Sequence, residues 1–250
     1  MTAPLDQHQR EIQRNLAAWE NKPLLRKIYN SFYDRILALV DQTLAGRVVE
    51  IGSGAGNLRS RLPDAICTDL FSNPWLTLVC DGYELPFRSG SLSHLILFDV
   101  FHHLETPTAF LNKARRVLIP EGRLILFEPF ISLASHPAYG LFHHEPVAMK
   151  GRLDLSESPS ARRNYYAAQG NATRLFFRRE VPGWPAGWKV VHAETFSCFA
   201  YLLSGGYSKP ALYPTGCLPV WQRIDRTLSR WPALAAGRCL IALQPQPTNR

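Results

Sequence analysis

The chain has 250 residues, with 28 Lys and Arg against 20 Asp and Glu, giving a net charge of +8 and a pI near 9.4. A hydrophobic content of 46% with 19% charged residues excludes a mostly disordered chain, and no run approaches the roughly 18 uninterrupted apolar residues of a membrane span. The length suits one large α/β domain carrying a substantial insertion.

Residues 8 to 44 read as two helices. Ile12, Leu16 and Trp19 fall on one stripe, Pro23 interrupts, and Leu25, Ile28, Tyr29, Phe32, Ile36, Leu39 and Val40 form a second stripe at helical spacing. A buried strand follows, with Val48, Val49 and Ile51 around Glu50, and it runs directly into Gly52, Ser53, Gly54, Ala55 and Gly56. Glycines lack the Cβ atoms that keep a ligand away from the backbone. Residues 57–62 predict a short helix with Leu58 and Leu62 on its inner face and Pro63 ending it. The result is a strand, glycine loop and helix whose open N–H groups suit a polar or anionic ligand group.

Residues 65–69 predict a second strand ending in Asp69, placed where doubly wound folds set a ribose-binding acid, with Leu70 beside it. A third strand is expected over residues 76–80, ending before Asp81 and Gly82. Two further segments follow, residues 91–104, running through Phe98, Asp99 and Val100 to His102 and His103, and residues 116–129, ending at Glu128 and Pro129.

Five of these segments, across residues 46 to 129 and in the same order, resemble the motifs of the class I S-adenosylmethionine-dependent methyltransferases, particularly the group containing small-molecule and quinone or sterol methylating enzymes. The resemblance implies a doubly wound, mostly parallel seven-stranded α/β sheet, Rossmann-like, with S-adenosylmethionine as cofactor. It assigns the cofactor site to Glu50, Gly52, Ser53, Gly54, Gly56, Asp69, Leu70, Asp81, Gly82, Phe98, Asp99 and Val100. A dinucleotide fold would instead ask for Gly or Ala at position 57, where this chain has Asn57, and Glu50 would repel a pyrophosphate.

Beyond residue 129 the pattern breaks. Residues 130–187 hold five scattered prolines after Pro129 and many aromatics with no clean period, and they read as a cap inserted over the strand ends. Residues 189–196 predict a sixth strand. Residues 219–228 predict a helix opening on Pro219 and burying Val220, Trp221, Ile224 and Leu228, and residues 238–243 predict a last strand, antiparallel by resemblance. The expected division is 1–45 N-terminal helices, 46–129 cofactor-binding core, 130–187 cap and 188–250 completing the sheet.

Methyl transfer from a sulfonium needs in-line placement and exclusion of water, and a hydroxyl or protonated amine acceptor gains from a general base. His102 and His103, after the fourth strand, and His143 and His144, in the cap beside Glu145, are the candidate catalytic residues. No metal is expected. The acceptor expected is a small metabolite or a glycan-like precursor methylated on O or N. Nucleic acid is disfavoured, because the arginine pairs at 115–116, 162–163 and 178–179 do not cluster, and strand four lacks the Asn-Pro-Pro-Tyr-like element of base-amine methylation. The alternatives are an RNA-modifying methyltransferase and a catalytically silent nucleoside-binding regulator. Five scattered cysteines with no C-x-x-C pair and an N-terminus without secretion features point to reduced thiols and a cytoplasmic location.

Overall fold

The computed structural model describes residues 3–142, 145–159 and 166–246. Helices α1 (Ala3–Asn21) and α2 (Pro23–Leu37) open the chain, with Pro23 at the start of α2, where its missing N–H costs nothing. The strands are β1 (Arg47–Ile51), β2 (Ile66–Asp69), β3 (Leu78–Val79), β4 (Leu92–Phe98), β5 (Leu118–Pro129), β6 (Trp188–Ser197) and β7 (Ala236–Pro245). They form one sheet in the order β3-β2-β1-β4-β5-β7-β6. All neighbours are parallel except β7, which runs antiparallel to both β5 and β6.

Period-two alternation sorts the central strands between two cores. Ile96, Ile125 and Phe127 face α2, which buries Leu24, Leu25, Ile28, Tyr29, Phe32, Tyr33 and Ile36 against them. Leu95, Leu97, Leu124 and Leu126 face the other way, onto Phe110, Leu111, Ala114 and Val117 of α3 (Pro107–Val117). Each buried Leu, Ile, Val or Phe side chain among these contributes roughly 1.5–3 kcal/mol of gross burial. The sheet is thus covered on both faces, which explains why its parallel strands read as continuous apolar runs rather than as alternating ones.

Three expectations need correction. The helix expected over 57–62 is a single 3₁₀ turn, Asn57–Ser60, entered through Gly56 in the left-handed region. The third strand shrinks to two residues, because β3 is the sheet's edge and Leu78 and Val79 lie exposed there. Helix α6 (Leu218–Leu228) buries Leu218 and Asp225, while Val220 and Ile224 point outward and Trp221 and Leu228 are only half-buried. That helix packs on β6 and on α5 (Phe199–Leu203) through the face opposite to the one its apolar spacing suggests.

Residues 130–187 contain α4 (Ser135–Phe142) and one π-helical turn, Thr173–Phe177. Described parts of this segment touch the carboxyl ends of the strands: the Ala168 N–H donates to the His102 carbonyl at 2.9 Å and the Ile131 N–H to Thr173 Oγ1 at 2.9 Å. A short helix α7 (Pro232–Ala235) leads into β7. No described helix is long and apolar enough to cross a membrane.

Candidate active site

The strand order reverses direction between β1 and β4, and the crevice at that point is where an open α/β sheet binds ligands. Gly52, Gly54 and Gly56 leave β1 with φ of 72°, 51° and 71°. A Cβ on Gly52 would collide with Val100 Cγ2, and one on Gly56 would lie 2.6 Å from Trp75 Cδ1. Gly54 differs: a Cβ there would meet nothing nearer than Ile12 Cδ1 at 4.0 Å. Open space above Gly54 is the cradle itself.

Its floor is tied to β2. The Ser53 N–H donates to the Thr68 carbonyl (2.8 Å), the Thr68 N–H to Ser53 Oγ (3.1 Å), and the Gly54 N–H to Asp69 Oδ2 (2.8 Å). Asp69 Oδ1 accepts from the Phe71 N–H at 3.3 Å, so the carboxylate is fixed at the end of β2 with exposed Leu70 beside it. Asp81 Oδ1 accepts from the Tyr83 N–H at 2.9 Å, and Gly82 sits against Phe110, where a Cβ would come within 3.4 Å. Trp75 closes the loop from above, its Nε1 donating to the Gly54 carbonyl at 2.9 Å. Between Trp75 and α1 an open cleft of about 760 Å³ runs to Arg10, Ile12, Gln13 and Arg14.

Glu50 is 4% exposed, and its Oε2 has no hydrogen-bond partner. Burial pushes its carboxyl up to about 8, with the Ser53 hydrogen bond opposing and the Asp69 charge adding. A buried acid with an orphaned oxygen, beside a backbone cradle, fits a ligand that carries an ammonium group.

At the end of β4 the burial breaks: Phe98, Asp99 and Val100 are half-exposed after six buried residues. Phe98 is sandwiched between Tyr29 (centroids 5.4 Å, 16°) and Phe127 (4.6 Å, 23°), with Tyr33 edge-on at 5.7 Å. Tyr201 and Tyr207 pack on Tyr29 at 5.9 and 5.2 Å, and Asn57 Nδ2 donates to Tyr207 Oη at 3.0 Å. Asp99, held at φ 56°, pairs with Arg238, a buried guanidinium lying over the rings of Phe127 and Tyr201. Burial works against the charge on Arg238, and Asp99 outweighs it, holding the guanidinium well above its ordinary pKa.

The two histidines after β4 differ in state. Nδ1 of His102 meets Glu128 Oε2 at 2.6 Å, and its Nε2 meets Glu145 Oε2 at 3.2 Å. Burial alone lowers its pKa, yet the two carboxylates raise it to about 10, so His102 is an imidazolium. Glu128 also accepts from the Val100 and Phe101 N–H groups at 2.8 and 2.7 Å. His103 donates from Nδ1 to the Tyr166 carbonyl at 3.0 Å, which places its basic lone pair on Nε2, 3.4 Å from Glu145 Oε1. Burial, with the His102 charge behind it, lowers the His103 pKa. Its side chain is 32% exposed. His143 and His144 lie outside the described residues.

Two sets of donor atoms, from His102, His103 and Glu145 and from Asp99, His102 and Glu128, each fall within 4.8 Å, a spacing that a divalent cation tolerates. His102 belongs to both sets, and each of its ring nitrogens already faces a carboxylate. Asp99, in the second set, pairs with Arg238.

The sequence reading missed Trp75, Glu128, Arg238 and the phenols of Tyr29, Tyr33, Tyr201 and Tyr207 as parts of the site. Glu128 and Arg238 carried a usable signal, since a charge inside an otherwise apolar strand needs a buried partner.

Residues 49–126 match the model of a methyltransferase domain. Among solved structures, the chain is similar to a putative methyltransferase of Haloferax volcanii in complex with the Trm112 methyltransferase activator (16% identity, 98% of each chain, TM-score 0.55). It is also similar to a possible histamine N-methyltransferase of Thermotoga maritima (17% identity, 94% of this chain and 99% of the other, TM-score 0.53). An S-adenosylmethionine-dependent methyltransferase of Archaeoglobus fulgidus aligns at 14% identity over 88% and 94% of the two chains, with a TM-score of 0.50. The comparison with curated proteins found no match. The matched segment covers β1 to most of β5, and the sheet order with its antiparallel seventh strand is the Rossmann-like fold that the chain shares with those structures. The matched domain implies S-adenosylmethionine as cofactor, and the open space over Gly54 and the orphaned Glu50 oxygen suit that molecule's methionine end.

Proposed function

We propose that the chain transfers a methyl group from S-adenosylmethionine to an oxygen or nitrogen of a small metabolite or glycan-like precursor. The observation that carries this reading is the half-exposed strip Phe98–Val100, which follows a fully buried strand and is walled by the phenols of α2 and residues 201–207. A partly open strip of this kind beside aromatic side chains suits one small, flat or hydroxylated acceptor.

Glu50 would hold the amino end of the cofactor, the Gly52–Gly56 backbone its carboxylate, Asp69 the ribose and Asp81 with Gly82 the base. The bound cofactor would supply an electrophilic methyl on a sulfonium, which leaves as a neutral thioether. The acceptor's proton goes to His103, which is neutral and carries its lone pair on Nε2, while Glu145 stabilises the imidazolium that results. His102 anchors this arrangement and takes no proton, being already charged.

The test is methyl transfer from labelled cofactor to a panel of small hydroxyl and amine acceptors, run beside bulk RNA, with Asp69→Ala as control. Label in a small acceptor that Asp69→Ala abolishes supports the reading. Label only in RNA, or cofactor binding with no turnover on any acceptor, contradicts it.

A further inference from the structure

Helix α6 carries an apolar row on its outward side. Val220 and Ile224 are one turn apart and exposed, the former 60%, and the row continues through Trp231 (54%) and Leu234 (52%) of the following turn and α7. Leu133, also exposed, adjoins it, since its N–H donates to the Ala233 carbonyl at 3.0 Å. Beside this row Arg223, Arg226 and Arg230 occupy successive turns and, with Thr227, surround one shallow cleft of about 300 Å³. None of the three arginines makes an ion pair among the described residues.

The only carboxylate between Cys217 and Arg238 is Asp225, and it faces inward. Its Oδ1 accepts from Ser197 Oγ at 2.9 Å and from the Phe199 N–H at 2.7 Å, and its Oδ2 from the Ala200 N–H at 3.0 Å. The helix therefore spends its one acid on joining β6 to α5 and turns both an apolar stripe and a cationic stripe to the outside. A helix that packs only on its own domain has no use for that arrangement. An anionic lipid surface has use for both stripes: the acyl boundary receives Val220, Ile224, Trp231 and Leu234, and the headgroup phosphates receive the guanidiniums.

We propose that α6 and α7 dock the protein peripherally on anionic phospholipid bilayers. The patch sits at the end of the sheet that carries the site, because α7 runs straight into β7, where Arg238 lies opposite Pro129 and pairs with Asp99. Docking therefore brings the carboxyl edge of the sheet close to the bilayer. This inference concerns α6 and α7 alone and stands whatever the acceptor is.

The test is co-sedimentation of the full chain with phosphatidylcholine vesicles, with and without roughly one-third phosphatidylglycerol, at low and high salt. The expected result is binding to the anionic vesicles alone, weakened by salt. Replacing Arg223, Arg226 and Arg230 together by Gln should lower partitioning about a hundredfold, at roughly fivefold for each cation near the surface. Ile224→Ser with Trp231→Ser should lower it at least tenfold at unchanged melting temperature. If the variants fold poorly, the lipid and salt dependence of the parent decides the matter. Absence of binding to anionic vesicles, binding indifferent to the arginines in folded protein, or a lipid-free dimer dispersed by the Ile224 and Trp231 replacements would overturn the proposal, the last by assigning the face to a second copy.

Discussion

Trp75 is bonded to Gly54: the indole Nε1 donates to the glycine carbonyl at 2.9 Å while the ring fills the space where Gly56 has no side chain. One residue from the β2–β3 connection thus holds two glycines of the loop in their left-handed conformations. Trp75→Phe keeps the ring and loses one hydrogen bond worth about 1 kcal/mol, so titration with S-adenosylhomocysteine should show roughly fivefold weaker binding. Trp75→Ala should weaken binding further. Equal affinities for the parent and both variants would detach Trp75 from the cradle.

Gly54→Ala separates folding from binding. The new Cβ meets nothing closer than 4.0 Å, and the positive φ costs on the order of 1 kcal/mol, so the variant should fold with a modestly lowered melting temperature. It should nevertheless lose most of its cofactor affinity, because the methyl enters the ligand's space. Gly56→Ala should lose both, since its Cβ must displace Trp75.

The sheet was legible because apolar runs separated by glycine and acidic turns leave few other foldings, and the order of the five segments from 46 to 129 is the order the structure shows. The ends of elements were less so. Strand β3 is short because an edge strand has a partner on one side only, a property no local pattern records. The outward face of α6 was misread because Val220 and Ile224 at helical spacing look the same whether they meet a core or something beyond the chain. The glycine turn after β1 could be named from sequence, whereas the clamp on His102 could not: Glu128 and Glu145 reach it from positions 26 and 43 residues further along the chain.

His102 and His103 should respond differently to replacement. His102→Ala leaves Glu128 and Glu145 facing each other without the cation between them, and breaking a buried pair in this way costs about 3–5 kcal/mol, readable by denaturant unfolding. His103→Gln should leave the affinity for S-adenosylhomocysteine unchanged and lower kcat by roughly 10²–10⁴. A His103→Gln variant with the parent's kcat would remove it from the proton path.

His94 gives a pH dependence of stability. Its Nε2 accepts from the Asp41 N–H at 3.1 Å, and burial lowers its pKa from the ordinary 6.5 to about 4. The unfolded chain therefore binds the extra proton between those values, and the stability that His94 contributes is complete above about pH 6.5 and lost as pH falls toward 4. His94→Gln should flatten the unfolding free energy across that window. An unchanged slope would contradict the assignment.

Proton release on binding S-adenosylmethionine tests the central claim most directly. Glu50 is raised to about 8 in the free protein and is expected to ionise when an ammonium group reaches its orphaned oxygen. Calorimetric titration at pH 6.5 in buffers of different ionisation enthalpy should show close to one proton released per ligand, falling toward zero above pH 8 and absent in Glu50→Gln. Binding that releases no proton, or the same release from Glu50→Gln, would contradict the account, and no binding at all would remove its foundation.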